Sequence, residues 1–233
     1  MTMQNNKLTK SKLIFSIIYV LIYPILILFI SGDWFWIEGW IFGLWFIALH
    51  LTNLIYLYLK DPALLAERFK LSGHKNQKGW DKYFIYALVV GYLVWFVITP
   101  LDAKRFEWTA NFPLWLKILG GIGLLASSFL QFRAFADNTF LSPVVRIQKE
   151  RHQQVVSTGV YGFVRHPMYL GAILMFLGVP MLLGSVYGIL TGAILSFLLV
   201  GRIIGEEKML TEELEGSLDY KNKVKYRLIP FVW

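Results

Sequence analysis

Apolar residues in this chain come in long runs separated by polar segments, and that pattern leaves few folds open. The runs cover 13–30, 35–59, 83–101, 114–132 and 168–201. A helix needs roughly 20 apolar residues to cross the hydrocarbon core of a bilayer. In lipid the backbone must satisfy its own hydrogen bonds, which restricts spanning segments to helices and closed barrels. Barrel strands are short and alternate in polarity, whereas these runs are long and apolar throughout. Only 16% of the residues are charged and 56% are hydrophobic, against about 25% charged in a soluble domain. The expectation is an all-α integral membrane protein. Four transmembrane helices occupy 13–30, 35–59, 83–101 and 114–132, and a short helical hairpin follows over 168–201, giving five to six apolar helices.

Local signals refine this. The run 13–30 contains Pro24, which a membrane helix tolerates. It reads as a span, because Ser31-Gly32-Asp33-Trp34 is a poor signal-peptide cleavage site. Trp34, Trp36 and Trp40 mark an interfacial belt at the start of the second span. Gly120, Gly121 and Gly123 predict close helix approach in the fourth. The run 168–201 is broken by Pro180, Gly184-Ser185 and Gly188, which predicts two short helices that re-enter or barely cross. His50 and Asn53, inside the second span, are expected to hydrogen-bond between helices, with a place on a substrate cavity as the alternative. A short helix is expected over 62–70 and an amphipathic tail over 202–233.

The net charge is +8. Segment 60–82 carries six Lys/Arg against three acids, whereas 102–113 carries two of each. The positive-inside rule then places both termini, 60–82 and 133–167 on the cytoplasmic side. It also accounts for the charge without nucleic acid. There is no cysteine, which excludes disulfides, thiolate metal sites and a cysteine nucleophile. His50, His74, His152 and His166 show no metal-ligand spacing, so no metal is expected. No glycine-rich nucleotide loop occurs, so any cofactor binds between helices and loops.

Chemistry concentrates in two places. The first is Gly159-Val160-Tyr161-Gly162-Phe163-Val164-Arg165-His166-Pro167-Met168-Tyr169-Leu170-Gly171. Pro167 suits the first turn of a helix and biases His166 away from helical geometry. A helix start there offers free N–H groups and a positive dipole end to a carboxylate. Taken alone, Arg165, His166 and Tyr169 also fit an interfacial anchor. The second place is Gly201-Arg202-Ile203-Ile204-Gly205-Glu206-Glu207, where Arg202 and Glu206 share a helix face. A hairpin over 168–201 brings both places together. A carboxylate, an arginine, a helix N-terminus and aromatic rings then suit a zwitterion, with the rings available to a cation. Asn138, Phe140, Arg146, Gln148 and Gln153 lie in the loop before.

The joint pattern Gly159-x-Tyr161-x-x-x-Arg165-His166-Pro167-x-Tyr169-x-Gly171, an apolar hairpin, Arg202-x-x-x-Glu206-Glu207, Tyr220 and Pro230-Phe231 resembles the isoprenylcysteine carboxyl methyltransferase family. That family is related to the membrane phospholipid N-methyltransferases. The likeness covers roughly 138–233. It implies an S-adenosylmethionine-dependent enzyme with a cytosolic cofactor site in a C-terminal catalytic region, 137–233, behind N-terminal membrane helices, 1–136. By matching positions it implies that Gln148, Gln153, Gln154, Val155, Val156, Tyr161, His166, Pro167, Met168, Tyr169 and Glu206 contact the cofactor. Arg202 would face the methyl acceptor and with Glu206 carry the catalytic roles, and Asn138 and Phe140 would join the acceptor site.

The implied acceptor is lipophilic: the carboxylate of a prenylated cysteine, reached among membrane lipids. A carboxylate with an ordinary pKa of about 4.3 is already ionised and needs no general base. Alignment of donor and acceptor then carries the reaction, an effect worth roughly 7–11 kcal/mol. A phospholipid or other lipid amine is the alternative acceptor, and it would require a base. A membrane reductase of the steroid-reductase type using NADPH would show Asn-Tyr-x-Gly-Glu where this chain has Met168-Tyr169-Leu170-Gly171-Ala172. A non-catalytic scaffold or transporter is the remaining reading, and a transporter would place polar groups at mid-membrane.

Overall fold

The computed structural model describes residues 10–69 and 76–233, and among these every regular element is a helix or helical turn. The order is α1 (Lys10–Ser31), α2 (Ile37–Lys60), α3 (Pro62–Arg68), α4 (Gly79–Pro100), α5 (Leu114–Asp137), α6 (Pro167–Leu183), α7 (Val186–Glu213) and α8 (Ser217–Lys223). A π-helical turn, Leu101–Arg105, prolongs α4. Among the described residues, five segments are long and apolar enough to cross a membrane: Ser11–Ser31, Ile37–Lys60, Gly79–Arg105, Leu114–Asp137 and Val186–Glu213. Their outward faces expose Phe15, Leu44, Leu125 and Phe197, a surface that suits lipid rather than water.

The C-terminal hairpin is asymmetric. Its first arm, α6, has 17 residues, and Pro167 takes the first-turn position with Gly184 in the left-handed region at the end. Its second arm, α7, has 28 residues and runs well past Gly201. Hydropathy falls at Arg202, but the helix continues because the charged residues there have partners across the fold. The charged segment after 201 is divided among the end of α7, the seven-residue α8 and a non-helical terminus. That terminus returns to the start of α6, where the Arg165 and His166 N–H groups bond the carbonyls of Tyr226 and Arg227, both at 2.9 Å. The short helix expected over 62–70 is α3. Asp61 caps it by accepting from the Leu64 N–H at 2.9 Å, and Pro62 opens it. Lys70 lies outside the described residues, as do 1–9 and the other residues of 70–75.

Helices α5 and α6 meet at Gly120 and Gly178. A Cβ on Gly120 would lie 2.6 Å from the Leu182 nitrogen and 2.7 Å from the Gly178 oxygen. Gly121 and Gly123 meet nothing within 4 Å, so one of the three expected glycines makes the approach. Tyr23, Phe42, Phe46, Trp95, Phe176 and Leu195 fill the core between helices. His50 turns onto its own helix, with Nδ1 3.0 Å from the Phe46 oxygen and its ring stacked on Phe46. The Asn53 Oδ1 is buried with no hydrogen-bond partner among the described residues. Neither makes the expected interhelical bond among the described residues.

The two ends of the bundle differ. At one end Asp102, fully buried, accepts from the Thr109 N–H (2.9 Å), the Ser185 hydroxyl (2.6 Å) and the Tyr187 N–H (3.2 Å), tying the π turn to the start of α7. Lys117–Glu38 (2.6 Å) and Lys104–Asp33 (3.1 Å) add ties there. At the other end α3, the end of α5, the start of α6, the second half of α7, α8 and the loop before α6 surround a cavity.

Candidate active site

The cavity has a volume of about 400 Å³, within the range of roughly 300–1,000 Å³ usual for ligand clefts. Its framework is set by the carboxylate of Glu207. Arg165 Nε (2.7 Å), Arg227 Nε (2.8 Å) and His166 Nε2 (3.2 Å) converge on it. Arg165 also donates to the Val224 and Lys225 carbonyls at 2.6 and 2.7 Å. This network locks the start of α6, the end of α7 and the C-terminal segment into one unit. His166 thus reaches the cavity wall while held from behind.

One residue earlier, Glu206 turns inward and accepts from the Tyr169 hydroxyl. Among the described residues it has no ion pair. Arg202 does not pair with Glu206. Its Nε bonds Asp81 Oδ1 at 2.8 Å, its NH2 donates to the Pro143 carbonyl at 2.9 Å, and its guanidinium lies 5.8 Å from the Tyr169 ring centroid. Asp81 is fully buried and also accepts from Gln77 and from the Val145 N–H. The charge of Arg202 is therefore compensated from α4.

The loop between α5 and α6 closes the cavity. It is anchored by Arg146, whose NH2 lies 2.6 Å from Glu67 and 2.7 Å from Glu150. Burial would lower the Arg146 pKa, but the bonds to Glu150 and Glu67 outweigh it and raise it. The loop enters α6 through Gly159, whose φ is +58° and where a Cβ would fall 2.0 Å from Asp137 Oδ2. That oxygen accepts from the Val160 N–H at 2.9 Å, so the turn has room only for glycine.

Most residues expected at the site line this cavity: Asn138, Phe140, Gln153, Gln154, Val155, Val156, Tyr161, His166, Met168, Tyr169, Arg202 and Glu206. Two expected residues do not. Gln148 is fully buried behind the wall. Its amide donates to the Phe140 carbonyl and accepts from Arg151, and its N–H bonds Gln153 Oε1 at 2.8 Å. It folds the loop, and the side chain has no reach left for a ligand. Pro167 is buried at the first turn of α6, where it sets the helix start. Sequence reasoning missed Arg68, Gln131 and Ser217 on the wall, named Tyr220 in the family pattern without giving it a place there, and missed Asp81 and Glu67 behind it. The buried acids carried one signal: each lies close to a basic residue in an otherwise apolar helix.

The Tyr161 hydroxyl is buried and has no hydrogen-bond partner among the described residues. Burial raises its pKa, opposed by the neighbouring Asn138 side chain. A buried hydroxyl left unpaired costs about 1–3 kcal/mol, and a polar ligand would relieve that cost. With the Glu206 carboxylate and the 153–156 backbone close by, the lining fits a ligand that carries an ammonium and several hydrogen-bonding groups.

Comparison with known proteins agrees with this geometry. A family model described as Phospholipid methyltransferase matches residues 115–215. Protein-S-isoprenylcysteine O-methyltransferase of Saccharomyces cerevisiae is 30% identical over 202 residues, covering 82% of this chain and 80% of that protein. The Schizosaccharomyces pombe protein of the same name is 28% identical, covering 83% and 86%. Protein-S-isoprenylcysteine O-methyltransferase B of Arabidopsis thaliana is 25% identical, covering 65% and 76%. The solved structure of a eukaryotic intramembrane Ras methyltransferase, isoprenylcysteine carboxyl methyltransferase, superposes with a TM-score of 0.58 at 22% identity, covering 92% of this chain and 73% of that one; this likeness speaks to the fold. From the two-ended helical bundle, the cavity and these relatives, the chain belongs to the isoprenylcysteine carboxyl methyltransferase family and is a multi-pass integral membrane methyltransferase.

Proposed function

We propose that the chain binds S-adenosylmethionine in the cavity and methylates the carboxylate of a prenylated cysteine. The observation that carries this is the presence on one cavity lining of Glu206, a carboxylate without an ion pair among the described residues, and the Tyr161 hydroxyl, buried without a hydrogen-bond partner among them. The names of the yeast relatives supply the acceptor class. When bound, S-adenosylmethionine supplies an electrophilic methyl group on a sulfonium. Glu206 faces its ammonium, with the Tyr169 hydroxyl fixing the carboxylate's orientation. Tyr161 and the segment 153–156 supply the polar contacts. His166 and Met168 close the wall at the start of α6. Ala172, Leu199 and Leu210 keep the interior dry. Water exclusion strengthens every electrostatic contact in the site.

Arg202, tied to Asp81, shapes the wall and places the Tyr169 ring. Asn138 and Phe140 would border the acceptor. We also assign the cavity end, with both termini, to the cytoplasm, in line with the excess of Lys and Arg in segment 60–82. The family description Phospholipid methyltransferase keeps one second reading, methylation of a lipid amine.

The decisive test uses the purified full chain in detergent. S-adenosylmethionine binding is measured first, then transfer of labelled methyl to S-farnesyl-N-acetylcysteine and, separately, to phosphatidylethanolamine. The expected product is a base-labile ester. A base-stable N-methyl product would select the second reading, and absence of S-adenosylmethionine binding would overturn both.

A further inference from the structure

We propose that Arg68, at the end of α3, is the anchor for the acceptor's carboxylate; this rests on the carboxylate reading above. Arg68 lines the cavity and is half-buried. Among the described residues it makes no salt bridge and no hydrogen bond through its side chain. Its guanidinium rests over the Phe135 ring, 5.3 Å from the centroid.

The other arginines of the wall are all matched. Arg202 has Asp81, Arg146 has Glu67 and Glu150, and Arg165 has Glu207. Burial first, and the charge of Arg202 second, pull the Arg68 pKa below its ordinary value. A guanidinium keeps its proton at neutral pH, so Arg68 presents to the cavity a positive charge with no salt-bridge partner among the described residues. A planar fork of this kind grips a carboxylate through two parallel hydrogen bonds.

The position selects which carboxylate. Arg68 belongs to the side of the cavity where α3 packs on Leu57, Phe135 and Leu141. Glu206 approaches from α7, and Tyr161 and 153–156 from the loop before α6. An amphiphile with a hydrocarbon chain and an anionic head fits the apolar side. Helix α3 is itself held firmly, by the Asp61 cap and by the buried Glu67–Arg146 pair, so the guanidinium is presented on a fixed support.

The test compares Arg68→Met and Arg68→Lys with wild type, as full chains in detergent. Three quantities are read: the Kd of S-adenosylmethionine, the kinetic constants for S-farnesyl-N-acetylcysteine, and the inhibition constant of its neutral carboxamide. Arg68→Met is expected to raise the KM of the carboxylate acceptor by roughly tenfold or more, as loss of a charge-assisted bond does. The carboxamide and S-adenosylmethionine constants stay unchanged, and Arg68→Lys recovers part of the loss. Should Arg68→Met fail to fold, Arg68→Gln reads the same split. A parallel rise for acid and amide would show a merely structural role and overturn the inference, as would an unchanged KM. A raised Kd for S-adenosylmethionine would assign Arg68 to the cofactor's carboxylate and also overturn it. A wild type that binds S-adenosylmethionine but leaves the acceptor unmethylated overturns the proposed function and this inference together; the other failures overturn the inference alone.

Discussion

Glu206 and Glu207 are neighbours in sequence with opposite duties. The roughly 100° between successive helical residues turns one into the cavity and the other into a cluster of cations. Glu207→Gln leaves Arg165, whose side chain is 7% exposed, short of its counter-charge. Breaking a buried pair on one side costs about 3–5 kcal/mol, so this variant is expected to lose thermal stability in detergent. Glu206→Gln is expected to melt with wild type and to bind S-adenosylmethionine roughly tenfold or more weakly, which calorimetry measures. Tyr161→Phe removes an unpaired buried hydroxyl, so it is expected to be at least as stable as wild type while binding S-adenosylmethionine about two- to tenfold more weakly. His166, Tyr169, Arg202 and Glu206 were legible in the sequence because one motif and one helical turn hold them together. Arg68, Gln131 and Asp81 were not, because they reach the same point from three helices far apart in the chain. Gln148 had the right chemistry for a contact and the wrong side of the loop, which only the folded backbone decides.

At the scale of elements, the apolar runs announced the helices, and backbone proximity decided how they pack. A Cβ on Gly192 would lie 2.2 Å from the Phe176 carbonyl oxygen, where α7 crosses α6. Backbone cannot move aside as a flexible side chain does, so Gly192→Ala is expected to destabilise by about 1–3 kcal/mol. Gly121→Ala meets open space and is expected to be neutral or stabilising, by up to about 1 kcal/mol. Thermal melts of the two variants side by side separate packing from helix propensity. The length of α7 was hidden from a hydropathy reading for a related reason. Such a reading stops at Arg202, whereas the helix stops at Glu213, after Arg202 has reached Asp81 and Glu207 has reached Arg165.

For the whole molecule, the native chain has no cysteine, so single substitutions report orientation cleanly. Ala110→Cys and Lys149→Cys sit at exposed positions on opposite ends of the bundle. In sealed, right-side-out vesicles a membrane-impermeant maleimide is expected to label position 110 and to reach 149 only after permeabilisation. The reverse pattern would place the cavity on the outer side.

The distribution of polar ties carries a mechanical consequence. Asp102, Lys117 and Lys104 pin α2, α5, the end of α4 and the hairpin turn at one end. The cavity end is tied as well, by buried charges: Arg202–Asp81 joins α7 to α4, Arg165–Glu207 joins the start of α6 to α7, and Arg146–Glu67 joins the loop to α3. A bundle held at both rims behaves as a braced frame rather than a hinge, so the cavity between the ties is preformed and an amphiphile has to fit the gaps that the braces leave.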